Sequence, residues 1–242
     1  MNLDFLIPAA QANGGEAAVA RSPMEPGSRA AGARFEVRDG FNVATAYGPD
    51  PAREAAAAAQ SAGWADVSHL AKLELQGAPE VLETIAAECD GDLRLGEAVR
   101  AGEAWWCRLT PTRALIIAEP AAAPGMRERL KQAAAGAERA SVIDVSTVFA
   151  ALTLVGPRAR EVFARFCAID LRPSRTPVGA LRPGSIGRQP GILICEASDR
   201  YLFLFGWATG EYMWSVVADA AGHLGGAPIG VDALREVSAA HA

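Results

Sequence analysis

The chain reads as an α+β fold of two pseudo-symmetric β-α-β-β-α halves, with antiparallel sheets covered by flanking helices. Three observations predict it. Residues 64–77 (WADVSHLAKLELQG) and 143–156 (IDVSTVFAALTLVG) share Asp-Val-Ser, then alternate apolar positions and end at a glycine. A stretch with helical character follows each: APEVLETIAAE after Gly77 and PRAREVFARF after Gly156. A second echo, LGEAVRAG at 95–102 against VGALRPG at 178–184, precedes a strand-rich run in both places. The period of about eighty residues is too long for a solenoid unit. It implies two fused copies of one half, with ligands and partners buried along a pseudo-symmetric seam.

Residues 1–33 are rich in Gly, Ala, Pro and Ser without periodicity, and are expected to form a flexible N-terminal arm. Residues 34–140 form the first half with a leading hairpin and helix; residues 141–242 form the second. The hairpin is 34–47, turning at Asp39-Gly40. Pro51 opens an Ala-rich helix that stops at Gly63. LAKLELQ (70–76) alternates as a half-buried strand, followed by a helix over 78–90. AWWCRL (104–109) and ALIIAE (114–119) are strands about the turn Thr110-Pro111-Thr112, and 124–136 is a helix ending at Gly136. The second half repeats the order: strand 149–155, helix 157–168, strands 191–197 and 200–206 about Ser198-Asp199, helix 210–223. Pro228-Ile229-Gly230 leads into a last helix, 231–239.

With 242 residues, half of them hydrophobic, the chain can bury a real core. The net charge is −5 and no long basic stripe exists, which argues against nucleic acid as a partner. Only two lysines occur, Lys72 and Lys131, a bias that reads as genome composition. The four cysteines are widely spaced with no C-x-x-C, so buried free thiols and a reducing cytoplasm are expected. The N-terminal MNLDFLIPAAQANGG lacks a basic n-region and has a short apolar patch, so it reads as an unprocessed arm. No run approaches the roughly 18 apolar residues of a membrane span.

Sequence motifs with chemistry are few: no Walker loop, G-x-G-x-x-G, H-E-x-x-H or G-x-S-x-G occurs, and no metal site is expected. His69, in DVSHL, either orients a ligand or carries a proton, or its ring caps a turn beside Ser68. His223 reads as a solvated helix-end residue, and His241 lies in the tail. Asp66 and Asp144 occupy matching positions, where an aspartate ordinarily ties down a turn. Glu103 is the carboxylate placed to act as a base or amine anchor. Trp105 and Trp106 face opposite sides of their strand, so one can be core while the other lines a groove.

The run GWADVSHLAKLELQG (63–77) resembles the glycine-cleavage T-protein family of folate-dependent aminomethyltransferases. LTLVGPRAREVF (152–163) is similar to that family's second strand and helix, and GGAPIGVDALRE (225–236) to its later glycine-rich turn and helix. RFCAIDLRPSRTPVG (165–179) with LFGWATGEYMWSVV (204–217) resembles the gamma subunit of heterotetrameric sarcosine oxidase, which shares the folate-binding fold. Together these cover about residues 35–239. The resemblance implies an acidic pair before the strand AWWCRL, one aspartate of which is catalytic; here the run is Ala101-Gly102-Glu103-Ala104, and Glu103 substitutes at best for one member. It also implies a Gly-Tyr-Thr-Gly-Glu segment leading to a glutamate that grips the folate pterin. Leu202 stands near that place, and leucine accepts no hydrogen bond. Arg235 matches the family arginine of the final helix. The chain ends, as gamma subunits do, where a T-protein continues into a C-terminal β-barrel.

Two functions follow from the resemblance. One is a non-catalytic, gamma-like subunit of a sarcosine-oxidase-type complex for oxidative demethylation of N-methyl amino acids with one-carbon transfer to tetrahydrofolate. Flavoprotein partner subunits would carry the flavin and folate sites, with no flavin on this chain. The other is a stand-alone tetrahydrofolate-dependent aminomethyltransferase. There Glu103 would position the amine, and a groove at His69, Trp105 and Arg235 would hold the folate.

Overall fold

The computed structural model of the chain describes residues 19–239; residues 1–18 of the expected arm, and His241, lie outside the described residues. A leading unit comprises β1 (Ala20–Arg21), α1 (Glu25–Ala30), β2 (Arg34–Arg38), β3 (Phe41–Ala46) and α2 (Pro51–Gln60). The first repeat is β4 (Gly63–Asp66), β5 (Ala71–Gln76), α3 (Pro79–Glu88), β6 (Ala98–Ala101), β7 (Ala104–Thr110), β8 (Arg113–Ala118) and α4 (Ala123–Ala134). The second is β9 (Ser141–Asp144), β10 (Phe149–Val155), α5 (Ala159–Phe163), β11 (Leu181–Ile186), β12 (Gln189–Ala197), β13 (Arg200–Gly206) and α6 (Gly210–Gly222). The short β14 (Ala227–Pro228) leads into α7 (Val231–Ala239).

The repeats interlock by exchanging their first strands. One sheet has the order β6-β7-β8-β5-β9 and the other β11-β12-β13-β10-β4-β14. Thus β4 pairs antiparallel with β10 of the second repeat, and β9 with β5 of the first. Asp-Val-Ser forms the crossing corner in both. Asp66 Oδ1 accepts from Ser68 N at 2.9 Å and Asp144 Oδ1 from Ser146 N at 3.0 Å. Each serine hydroxyl then accepts an amide from the other repeat: Ala151 N to Ser68 Oγ at 3.1 Å, Lys72 N to Ser146 Oγ at 3.0 Å. Short side-chain-to-backbone bonds of this kind stop a strand and turn it, which is why Asp and Ser stand there.

Strand alternation sorts the core into layers. Leu73, Leu75, Trp106 and Ile116 point from the first sheet to α3 and α4, meeting Leu82, Ile85 and Leu130. Leu152, Leu154, Phe203 and Phe205 point from the second sheet to α5 and α6, meeting Phe163, Met213 and Val217. Between the sheets lie Cys107, Leu115, Ile117, Val155, Ile194, Leu202 and Leu204, closed at one end by Leu234 and Val237 of α7. The order is helix, sheet, sheet, helix, and no sheet closes into a barrel among the described residues. No described helix is long and apolar enough to cross a membrane. Cys89, Cys107, Cys167 and Cys195 are free thiols.

Two differences from the sequence expectation stand out. Residues 19–33 of the expected arm are part of the fold. β1 pairs with β3, Met24 is fully buried, and Gly27 lets the α1 backbone lie against the Trp214 ring, where a Cβ would collide. The arm's Gly and Ala content hid a short helix held by the buried Met24, Glu25 and Ser28 and by the close approach of Gly27 to Trp214. The helix expected over 157–168 is only one turn, because Cys167 bridges Ile186 of β11 and draws the chain back to the sheet. The leading unit fixes α7. Glu54 accepts from Tyr47 N and Gly48 N with one oxygen and from Gly230 N with the other, and Arg38 forks onto Asp232 at 2.6 and 2.9 Å.

Candidate functional site

A cavity of about 610 Å³ opens where the facing sides of the two sheets meet α7. That volume suits a small-molecule ligand. Its floor is apolar and buried, with Val67, Ile117, Val155, Leu202 and Leu234, and Thr153 is set among them. Charge gathers at the rim: Arg100, Glu119 and Arg235 are exposed, while Glu196, Asp199 and Arg200 are half-buried. Period-2 alternation divides the tryptophan pair. Trp106 is fully buried on the helix side of the first sheet, and Trp105 lines the cavity. The Arg100 guanidinium lies 5.6 Å from the centre of the Trp105 ring.

His69 forms part of the wall, just past the first corner, with Phe41 tilted against its ring at 6.4 Å. On its other side a smaller cavity of about 200 Å³ reaches Asp144 and Ser146. Burial pushes the imidazole down to about 4, helped by the positive charges of Lys72, Arg235 and Arg38. The ring is therefore neutral near pH 7, a hydrogen-bonding group rather than a proton carrier. Below it Lys72 is fully buried, its Nζ donating to Ser68 O at 2.7 Å and Ser146 O at 3.3 Å. Burial lowers the Lys72 ammonium to about 7 against the opposing pull of Asp66 and Asp144, and burial raises the Asp66 carboxyl.

The structure brings His69, Trp105 and Arg235 to one cavity. It does not bring Glu103 there. Glu103 sits on the two-residue turn between β6 and β7, exposed, beside a separate cavity of about 510 Å³ toward α4, with Cys89, Asp90 and Arg129. Sequence reasoning missed Thr153, Glu196, Arg100 and Arg200. The readable signal was Glu196 and Arg200 flanking the Ser198-Asp199 turn, a spacing that lets Arg200 Nε donate to Glu196 Oε2 at 2.8 Å. Among the described residues no three His, Cys, Asp or Glu side chains are grouped to hold a metal ion.

The profile of the family described as GCVT N-terminal domain matches residues 25–239. No curated protein matches the chain. Among solved structures the chain is similar to glycine cleavage system aminomethyltransferase T from Bartonella henselae: 19% identity, TM-score 0.74, covering 89% of this chain and 60% of that one. It is also similar to heterotetrameric sarcosine oxidase from Corynebacterium sp. U-96 in complex with pyrrole 2-carboxylate: 24% identity, TM-score 0.62, covering 72% of this chain and 92% of that one. The chain thus spans less than two thirds of the length of that aminomethyltransferase. At these identities the likeness establishes the fold.

Proposed function

The chain belongs to the GCVT N-terminal domain family, and on that premise we propose that it is a gamma-like, non-catalytic subunit of a sarcosine-oxidase-type complex and that, instead of the folate site expected on a partner subunit, its own cavity takes tetrahydrofolate. The observation that carries the non-catalytic part is the place of Glu103. It lies beside a separate cavity on the α4 side, away from His69, Trp105 and Arg235. A general acid or base must stand within hydrogen-bond reach of the reacting group. The flavin-dependent oxidation belongs, in this reading, to flavoprotein partners, as the likeness to a heterotetrameric oxidase suggests.

The cavity's chemistry fits tetrahydrofolate in part. Trp105 offers an aromatic face to a planar ring, and Arg100 and Arg235 at the exposed rim suit an anionic tail. Leu202 offers no acceptor to a pterin edge. Tetrahydrofolate would supply the acceptor for a one-carbon unit; the chain's own residues would bind it, orient it and exclude water. Fold likeness alone transfers no activity, so the test is direct. Gentle affinity purification from the native host should bring down flavoprotein subunits in stoichiometric amount. A lone monomer or homodimer would overturn the subunit reading.

A second reading, a stand-alone aminomethyltransferase, is favoured by Glu119. This cavity-rim carboxylate has no ion pair among the described residues. In that case the isolated chain transfers a one-carbon unit, and Glu119→Gln lowers the rate at least tenfold.

A further inference from the structure

The cavity floor carries one polar side chain. Thr153 sits on β10 between Leu202 of β13 and Ala65 of β4, is 2% exposed, and makes no side-chain hydrogen bond among the described residues. A buried hydroxyl ordinarily has a partner, and the space in front of this one is the cavity.

Glu196 lies on the same side. β12 is irregular at this point: Cys195 stands opposite Tyr201, Ala197 opposite Arg200, and Glu196 opposite no residue. Strict alternation would send Glu196 and Ala197 to opposite faces. The bulge lets both line the cavity, the re-aiming that bulges perform beside binding sites. The Glu196 side chain is 11% exposed. Its Oε2 accepts from Arg200 Nε, and Oε1 has no hydrogen bond among the described residues. Leu202 is two residues along β13 from Arg200, about 7 Å, so Glu196 and Thr153 bracket the apolar position.

We propose that Glu196 and Thr153 read the heterocycle of the cavity's ligand, across Leu202. Glu196 accepts the paired N–H donors of an aminopyrimidine edge, and the Thr153 hydroxyl meets a ring heteroatom. This rests on the reading that the cavity takes tetrahydrofolate, and it assigns the recognition of that ligand to two side chains of this chain. Arg200 holds the carboxylate in place; the exposed arginines are left for the ligand's anionic tail.

The experiment titrates the full chain by calorimetry with 5-formyltetrahydrofolate and with its 2-desamino analogue. The wild type should prefer the amino ligand by about ten- to a hundredfold, the weight of a hydrogen bond to a charged group. Glu196→Gln should bring the two ligands within about twofold, because an amide cannot accept both donors. Thr153→Val should weaken both ligands about tenfold, with Thr153→Ser restoring them. Melting temperature, measured for each variant, separates loss of recognition from loss of fold. Unchanged preference in Glu196→Gln, or equal binding of both ligands by the wild type, overturns the assignment while the folate reading stands. Failure of the wild type to bind either ligand overturns the folate reading and the assignment with it.

Discussion

At the corner of each repeat an aspartate holds the amide of the serine two residues on, and that serine accepts an amide from the opposite repeat. The backbone device is the same, yet the surroundings diverge. Asp66 and Ser68 are buried, and the Ser22 hydroxyl of the leading unit reaches Ser68 at 3.4 Å. Asp144 is exposed and pairs with Arg127 at 3.5 Å. After the corner the first repeat has His69 and Lys72, while the second has Thr147 and Ala151. Covered by the leading unit through Ser22 and Phe41, the first corner carries His69 into the cavity wall. The second corner is a turn with its aspartate exposed.

Lys72 tests that difference most severely. Its ammonium, ordinarily near 10.5, titrates at about 7 in the fold because it is buried. Below pH 7 folded and unfolded chains both hold the proton, and the full penalty of burying the charge is present. Between about 7 and 10.5 the unfolded chain holds more protons, so raising the pH favours the fold. The stability of the wild type relative to Lys72→Met should therefore climb by about 3–5 kcal/mol across that window in urea titrations. A flat difference curve would mean that Lys72 is solvated and that the two corners are electrostatically alike.

Next come the serines. Ser68→Ala strands the Ala151 amide in a buried site and should cost about 2 kcal/mol, whereas Ser146→Ala, half-buried, should cost about 1. Equal losses by chemical denaturation would erase the contrast in burial.

His69 offers a spectroscopic check. Its ring resonances should titrate with a midpoint near 4, since burial and the nearby cations oppose protonation. A midpoint near 6.5 would show a solvated ring and remove it from the cavity wall.

The contrast between corners also shows what the sequence could and could not disclose. Alternation in AWWCRL placed Trp105 and Trp106 on opposite faces, and the repeat itself exposed Asp66 and Asp144 as equivalents. The exchange of β4 and β9 stayed hidden, because alternation tells which face of a strand is apolar and not which strand lies beside it. Four-residue strands such as Gly63–Asp66 carry little pattern of their own. Glu103 looked close to Trp105 in the chain, but a two-residue turn ends one strand and begins the next. Its side chain is carried off the sheet's end, toward α4. Glu196 was concealed for the converse reason: a bulge breaks the alternation that sequence reading relies on.

The smallest effect is also the one that isolates charge from geometry. Asp144→Asn keeps an oxygen for the Ser146 amide, so the turn should persist. Measured above about pH 8, where Lys72 is largely neutral and the pull of Asp144 on it plays no part, what disappears is the charge facing Arg127, across a pair in which both side chains are 46% exposed. Exposed pairs contribute at most about 1 kcal/mol and are screened by salt. The variant should therefore lose only a few tenths of a kcal/mol at low salt, and nothing measurable at high salt. A loss as large as that of Ser68→Ala, persisting in salt, would mean that the second corner also depends on a desolvated charge. The asymmetry would then lie in something other than the cover supplied by the leading unit.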